Sequence, residues 1–197
     1  MEAKPKMKVF KRKDFLEDLE SHIEQMKYGA VFIYPTDTLY GIGCDARNNS
    51  LVQRIRRIKN STKYPLSVIA PSKEWIRENM VVRPEHEVWL KKLPGPYTLI
   101  FERKVKDCVA DDVNRFDNTL GVRIPKNWFA DVVKKIGYPV ITTSVNVHGQ
   151  APFTALSEIS DNFKMMVDFA IEDGEMSGVP STLVDLTTSP PKVIERK

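Results

Sequence analysis

The sequence predicts an α/β protein, and three observations support this fold class. A stripe of apolar residues at helical spacing is followed by a glycine and then by a short, wholly apolar segment. Helix and strand candidates continue to alternate along the rest of the chain. There is no internal repeat, low-complexity tract or linker long enough to separate domains. We therefore expect residues 1–197 to form a single domain.

The first elements show this pattern most clearly. Residues 13–28 are expected to form a helix that ends at Gly29, a typical C-terminal cap. The inward stripe of this helix consists of Phe15, Leu16, Leu19, Ile23 and Met26. The apolar run at 30–34 is typical of a strand covered on both faces. Beyond it, Gly41 and Gly43 let the backbone approach another group closely.

The later elements follow in order. Residues 49–59 are expected to form a helix with Val52, Ile55 and Ile58 inward and its arginines outward. Further helices are expected at 72–79, 84–92, 127–136 and 155–162, with Asn127 as an N-cap. Further strands are expected at 66–70, 98–102, 120–124, 140–144, 166–171, 181–186 and 193–195.

Composition excludes several classes of protein. With 42% hydrophobic and 28% charged residues, the chain is neither disordered nor collagen-like. No apolar run is long enough to cross a bilayer and the start lacks the apolar core of a signal peptide, so we expect a cytoplasmic protein with no membrane partner. Cys44 and Cys108 match neither a metal motif nor a disulfide framework and are expected to be packing residues.

Positive charge is concentrated in one segment. The chain has 30 Lys and Arg against 26 Asp and Glu, yet residues 46–73 contain seven of these cations and no acid. Such a segment can attract the phosphates of a nucleotide or of nucleic acid. The alternative is a solvated helix face.

Polar side chains stand where three expected strands end, which is where open α/β sheets bind ligands. They are Thr36-Asp37-Thr38, Arg123 and the run from Thr142 to Asn146. Such groups can hold a carboxylate or a phosphate, although local turn chemistry is the alternative for each segment alone.

Lys59 lies seven residues after Val52 and four after Ile55, on their inward stripe. An inward lysine needs an anion, unless its role is to complement the negative end of the helix dipole. No nucleophile elbow, GxxxxGK[ST] loop or GxGxxG motif is present. His22 and His86 are expected on helix surfaces and His148 near a ligand, too scattered for a metal site.

Six ordered motifs resemble the YrdC family of threonylcarbamoyl-AMP synthases, and the resemblance runs from about residue 8 to 196. They are Tyr34-Pro35-Thr36-Asp37-Thr38-Leu39-Tyr40-Gly41-Ile42-Gly43, Ile58-Lys59, Leu93-Pro94-Gly95-Pro96-Tyr97-Thr98, Gly121-Val122-Arg123-Ile124-Pro125, Thr143-Ser144-Val145-Asn146 and Pro180-Ser181-Thr182-Leu183-Val184-Asp185-Leu186. The resemblance implies a twisted, open, mixed sheet with flanking helices around a concave, positively lined pocket. It also implies the short form of the family, without the extra C-terminal domain.

The activity that the resemblance implies is the condensation of L-threonine, bicarbonate or CO2, and ATP into threonylcarbamoyl-AMP and pyrophosphate. The product would pass to a transferase that modifies tRNA. Mg²⁺ is expected to accompany ATP, because it neutralises phosphate charge and needs few protein ligands.

The resemblance also implies roles for individual residues. Those expected to contact threonine are Thr38, Arg123, Thr142 and Ser181, and those expected to contact ATP are Lys59, Lys63, Thr119, Ser144 and Asn146. The family's Lys-x-Arg reads Lys59-Asn60-Ser61 here, and Lys63 is the candidate second cation. Asp37 is expected to cap its turn.

Two alternatives to the synthase remain at this stage. One is a YciO-like protein of the same fold with weak or no synthase activity. The other is an RNA-binding protein that holds tRNA or double-stranded RNA through the acid-free segment at 46–73.

Overall fold

The computed structural model describes residues 7–60, 64–146, 153–176 and 178–194. These residues form an α/β structure with an open, twisted, mixed sheet and flanking helices, as predicted. The ten strands are β1 Lys8–Lys11, β2 Phe32–Tyr34, β3 Gly41–Gly43, β4 Ser67–Ile69, β5 Tyr97–Glu102, β6 Thr119–Arg123, β7 Val140–Ser144, β8 Phe169–Glu172, β9 Thr182–Asp185 and β10 Lys192–Ile194.

The strand order is β1-β8-β2-β3-β7-β4-β6-β5-β9-β10. Parallel pairs form between β1 and β8, β2 and β8, β4 and β6, and β5 and β9, while the other neighbours are antiparallel. In the centre, Ser67 of β4 lies opposite both Gly121 of β6 and Thr142 of β7, and Gly41 of β3 lies opposite Ser144. This register brings polar residues from distant parts of the chain onto adjacent strands.

Both faces of the sheet are covered. The helices are α1 Arg12–Glu17, α2 Leu19–Lys27, α3 Asn49–Lys59, α4 Lys73–Asn79, α5 Glu87–Leu90, α6 Phe129–Ile136 and α7 Asp161–Lys164. Successive strand residues point to opposite faces, so Ile33 belongs to a larger apolar cluster while Phe32 and Tyr34 belong to a smaller one. The expectation of a β2 covered on both faces is therefore confirmed.

Helix α3 has the predicted bounds, because Asn48 accepts hydrogen bonds from the N–H groups of Ser50 and Leu51 and Asn60 ends the helix in the left-handed region. The expectation that its arginines face outward is wrong for Arg56, which is buried. Its guanidinium donates to backbone carbonyls of Tyr64, Asp112 and Val113. These contacts tie α3 to neighbouring loops, a structural role that helical spacing does not reveal.

Four expected helices differ from the structure. The one expected at 84–92 is a 3₁₀ turn, Pro84–His86, followed by the short α5. The helix expected at 13–28 is broken at Asp18, where φ is −117° and ψ is 39°, so that α1 and α2 are separate. Helix α6 begins at Phe129 rather than at Asn127, since the Asn127 amide donates to the Pro35 carbonyl instead of capping. The helix expected at 155–162 is a 3₁₀ turn, Leu156–Glu158, followed by the short α7.

The sequence patterns did not predict two of the strands, β1 and β3. Strand β1 is mostly exposed and has no apolar alternation, and only its parallel pairing with β8 makes it a strand. Strand β3 contains Gly41 and Gly43. The groups that approach these two glycines closely belong to neighbouring strands of the protein itself. A Cβ at Gly41 would lie 2.7 Å from the Tyr34 ring, and one at Gly43 would lie 2.4 Å from the Ile141 carbonyl oxygen.

The two described histidines and both cysteines are buried. His22 and His86 are buried, contrary to expectation, and His22 stacks on Phe15 with ring centroids 4.6 Å apart. Cys44 and Cys108 are buried and free, in agreement with their expected packing role. His148 lies outside the described residues. Across the described ranges, each helix is too short or too polar to cross a bilayer.

Candidate functional site

The structure contains an open cavity of about 290 Å³ on one face of the central strands. Six segments contribute its polar lining residues, namely Thr36 and Thr38, Ser67, Thr98, Arg123, Thr142 to Ser144 with Asn146, and Ser181. Ile69 lies two residues after Ser67 on β4, and Val140 lies two residues before Thr142 on β7, so each shares a face with its neighbour. Ile69 and Val140 belong to the smaller apolar cluster. The cavity therefore lies on that face of the sheet, where polar residues take the place of apolar ones.

Gly121 makes room for the floor of the cavity. A Cβ at this position would lie 2.5 Å from Ser67 Oγ and 3.3 Å from Thr98 Cγ2. Thr98 in turn shares a hydrogen bond with Ser181, with their hydroxyl oxygens 2.8 Å apart. The missing side chain at Gly121, two residues before Arg123 and on the same face of β6, thus leaves space for Ser67 and Thr98.

Arg123 ends β6 and is 6% exposed. Its Nη1 donates to Thr38 Oγ1 over 3.2 Å, and its Nη2 donates to Asp37 Oδ1 over 2.5 Å. Its Nε has no hydrogen-bond partner among the described residues. A planar guanidinium that is held on two sides and keeps an unused donor suits a carboxylate ligand.

The sequence predicts that Asp37 caps its turn, and this prediction is wrong. Thr36 Oγ1 caps that turn, because it accepts from the N–H groups of Thr38 and Leu39 and donates to the Leu39 carbonyl. Asp37 instead pairs with Arg123 and accepts from the N–H of Lys126. Only the fold brings this carboxylate and guanidinium together.

Lys59, the last residue of α3, is 6% exposed and points inward as predicted. Its Nζ donates to the Ser144 carbonyl over 2.7 Å and to the amide oxygen of Asn146. Ser144 Oγ donates to the same amide oxygen over 2.8 Å. Both partners of Lys59 line the cavity, so that the ammonium group lies at its edge.

The two buried cations differ in their electrostatic surroundings. Burial lowers the pKa of Lys59 to about 8, because the charged form loses water and gains only neutral oxygen partners. Burial also lowers the pKa of Arg123, but Asp37 opposes this change, and a guanidinium stays charged at neutral pH. Among the described residues no carboxylate lies within 4.0 Å of Lys59 Nζ, whereas Arg123 has one.

The structure brings together seven of the nine predicted site residues. Thr38, Arg123, Thr142, Ser144, Asn146 and Ser181 line the cavity, and Lys59 contacts two of them. Thr119 stands at the start of β6, outside the cavity lining, where its hydroxyl donates to Asp117 over 2.6 Å. Lys63 lies outside the described residues.

Sequence reasoning missed several lining residues. Thr98 ends the Leu93–Thr98 motif and starts a predicted strand, with no sequence signal for a ligand contact, and Ser67 has no such signal either. Tyr40 also lines the cavity, and its hydroxyl donates to the Gly174 carbonyl and accepts from the Asp173 N–H. Pairing between strands, which no single segment reveals, is what places them here.

Much of the charge in the acid-free segment is used within the fold. Arg47 pairs with Asp45, Arg54 pairs with Asp168, and Arg56 donates to carbonyls. Arg57 is exposed. The observed partners reduce the number of cations in this segment that are available to bind the phosphates of a nucleic acid.

The described residues do not fit a metal site held by protein ligands. No carboxylate lines the cavity within the described ranges, and both oxygens of Asp37 already accept hydrogen bonds. A search of the same ranges finds no group of three His, Cys, Asp or Glu residues able to hold an ion. We derive no catalytic step through Mg²⁺.

Comparison with known proteins places this chain in a family. The family described as telomere recombination, which groups Sua5, YciO and YrdC proteins, matches residues 24–197. The threonylcarbamoyl-AMP synthase of Mus musculus is 31% identical over 184 residues, covering 89% of this chain and 65% of that protein. YciO of Escherichia coli K12 is 29% identical over 181 residues, covering 87% of this chain and 85% of that protein.

Among solved structures, the crystal structure of P. abyssi Sua5 complexed with L-threonine matches with a TM-score of 0.83 and 26% identity. The match covers 95% of this chain and 56% of that one. The chain therefore spans less than two thirds of these synthase and Sua5 relatives. A family match over most of the residues, together with a shared fold, shows that the chain belongs to the Sua5/YciO/YrdC family.

Proposed function

We propose that this protein is an ATP-dependent L-threonylcarbamoyladenylate synthase, a nucleotidyltransferase that makes threonylcarbamoyl-AMP and pyrophosphate from L-threonine, bicarbonate or CO2, and ATP. One observation carries the proposal: two buried cations that are distant in the chain meet at one hydroxyl-lined cavity, since Arg123 lines it and Lys59 contacts its lining residues Ser144 and Asn146. Two anionic groups in one cavity, a carboxylate and a triphosphate, would satisfy both. The name of the mouse relative and the ligand of P. abyssi Sua5 also support it.

In this proposal Arg123 binds the carboxylate of threonine. The hydroxyls of Thr38, Thr142 and Ser181 supply neutral hydrogen bonds around the amino acid without adding charge. A threonine zwitterion is overall neutral, so that one guanidinium with neutral donors suits it better than several cations would.

Lys59, Ser144 and Asn146 bind the phosphates of ATP. A triphosphate would restore full protonation of Lys59, since a nearby anion favours the charged form. Catalysis then rests on placing the reacting groups together and on neutralising charge as pyrophosphate leaves. With bicarbonate as the carbon source, the balanced reaction also releases water.

The proposal includes three further expectations. Lys63 supplies the second cation beside the phosphates, Mg²⁺ reaches the cavity bound to ATP, and the reaction takes place in the cytoplasm. The acyl-adenylate product is a mixed anhydride and calls for a partner that transfers its acyl group, which here is a transferase that modifies tRNA.

The direct test is to incubate the full chain with ATP, Mg²⁺, bicarbonate and L-threonine, and to detect the acyl-adenylate by mass together with pyrophosphate release. Lys59→Ala and Ser144→Ala are expected to reduce threonine-dependent pyrophosphate release by about 30-fold or more, the loss of about 2 kcal/mol of transition-state stabilisation. Arg57→Ala is the matched control, because it removes an exposed cation from the same helix. Unchanged release in both site variants would show that the site is wrongly assigned.

A YciO-like protein without synthase activity is the alternative, favoured by the absence of the arginine of Lys-x-Arg, where the chain reads Lys59-Asn60-Ser61. Ser61→Arg, which restores the motif, and Lys63→Ala, which removes the candidate substitute, separate the two. The synthase proposal expects faster pyrophosphate release in the first variant and slower release in the second. If neither variant changes the release and no acyl-adenylate forms, the YciO-like alternative replaces it.

A further inference from the structure

Among the described residues, Asp37 is the one carboxylate that pairs with a charged residue of the cavity lining. Oδ1 accepts from Arg123 Nη2 over 2.5 Å and Oδ2 accepts from the Lys126 N–H over 2.9 Å. Both carboxylate oxygens are thus committed, one to a side chain and one to the backbone just beyond β6. The side chains of Asp37 and Arg123 are 11% and 7% exposed, so that solvent screens this pair weakly.

The turn that carries Asp37 does not depend on its carboxylate. Thr36 Oγ1 holds that turn by accepting from two backbone N–H groups and donating to the Leu39 carbonyl. Asp37 also stays outside the cavity lining, so it does not reach a bound molecule directly. Asp37 therefore contacts the cavity lining through Arg123.

Three contacts define where the guanidinium lies. Thr38 receives Nη1 on the cavity side and Asp37 receives Nη2, while Lys126 fixes Asp37 in turn. Nε has no partner among the described residues. A guanidinium with two fixed nitrogens has one orientation, and that orientation decides which donors remain for a ligand.

We propose that Asp37 is a positioning residue that fixes the Arg123 guanidinium so that its remaining donors receive the amino-acid carboxylate. This inference rests on the proposed function and adds a role for a residue outside the cavity. Asp37 also carries a negative charge, which by itself would weaken binding of a carboxylate. Positioning and simple neutralisation therefore predict opposite signs when Asp37 is removed.

The test compares Asp37→Ala and Asp37→Asn with the intact chain. Asp37→Ala is expected to raise KM for threonine by about 10- to 100-fold, since a misplacement of about 1 Å can cost two orders of magnitude. Asp37→Asn keeps one acceptor oxygen but cannot accept from both Arg123 and the Lys126 N–H. Its KM for threonine should therefore lie between those of the intact chain and Asp37→Ala. KM for ATP should change by less than about twofold, because other residues hold the phosphates.

Asp168→Ala is the matched control. Asp168 likewise joins an arginine to a distant backbone group, accepting from both Nη atoms of Arg54 and from the Val31 N–H. This variant should lose stability without changing KM for threonine. If Asp37→Ala raises both KM values alike, or lowers KM for threonine, or leaves it unchanged, positioning is wrong.

A second measurement keeps the inference separate from the proposed function. The Nε–H resonance of Arg123, assigned by its loss in Arg123→Lys, should shift or broaden in Asp37→Ala and remain in place in Asp168→Ala. If the intact protein shows no threonine-dependent reaction, the proposed function fails while this resonance still reports whether Asp37 holds Arg123. An unchanged resonance in Asp37→Ala would overturn the inference.

Discussion

Arg123 and Lys59 both reach the cavity, but one is paired with a carboxylate and the other is held by neutral oxygens. Arg123 has a counter-ion and a defined orientation before any ligand binds. Lys59 has neither a carboxylate within 4.0 Å among the described residues nor, as its lowered pKa shows, full compensation for the water it has lost. The difference indicates that Arg123 orients its ligand, whereas at Lys59 a ligand supplies the negative charge that the surroundings lack.

The largest expected effect is on stability. Arg123→Met leaves Asp37 buried beside an apolar group, and breaking such a pair costs about 3–5 kcal/mol of unfolding free energy. Lys59→Met removes a cation without orphaning a carboxylate, so its unfolding free energy should change by no more than about 1 kcal/mol. Urea unfolding of both variants measures the contrast.

Asp37→Asn in the Arg123→Met background supplies the control. It should recover part of the lost stability, because it removes the orphaned charge while keeping the side-chain shape. Equal losses in Arg123→Met and Lys59→Met would mean that the two cations are held alike.

Asn146→Asp makes the surroundings of Lys59 resemble those of Arg123. The new carboxylate would raise the pKa of Lys59 and repel phosphate, so KM for ATP should rise by about tenfold, or 1.4 kcal/mol. KM for threonine should stay nearly constant. Asn162→Asp, which adds the same charge at an exposed position of α7, should change neither value. Tighter ATP binding in Asn146→Asp would place the phosphates elsewhere.

The pH dependence follows from the pKa of Lys59, about 8 in the free protein against 10.5 normally. Phosphate needs the protonated lysine, so ATP affinity should fall by several-fold between pH 7 and about pH 9. Lys59→Arg should abolish this fall, because a guanidinium stays charged. A decline that persists in Lys59→Arg would have to come from another group.

The same pKa also affects stability, with the opposite sign. The unfolded chain binds more protons at Lys59 between pH 8 and 10.5, so folding gains stability as pH rises through that window. The intact protein should gain stability relative to Lys59→Met over this range, as measured by urea unfolding at each pH.

The smallest effect is expected at Thr119, which the family resemblance assigned to ATP but which the structure places beside Asp117 and outside the cavity lining. Thr119→Val should change KM for ATP by less than about twofold, while the lost hydrogen bonds cost about 1 kcal/mol of stability. A large rise in KM for ATP would mean that the ATP site extends to Thr119 at the start of β6.

The strongest sequence patterns anticipated a large part of this architecture. Helix α3 and strand β7 have the predicted bounds, since the helical spacing of Val52, Ile55 and Ile58 and the β-branched run at 140–143 are local signals. Lys59 was placed inward by its spacing from Val52 and Ile55. The late start of α6 was not predicted, because Asn127 makes a contact with Pro35 that no local signal reveals. The break at Asp18 falls within a stripe of apolar residues that continues across it.

The candidate site could likewise be predicted only in part from the sequence. Hydroxyls, an amide and two cations of the right types were identifiable in the sequence, because their chemistry is a property of each residue and of its local spacing. The pairing of Asp37 with Arg123, the burial of Arg56 and the place of Ser67 opposite Thr142 were decided by the tertiary structure alone. These depend on strand order and register, which bring together groups that are far apart in the chain and set the charge and the exposure of each.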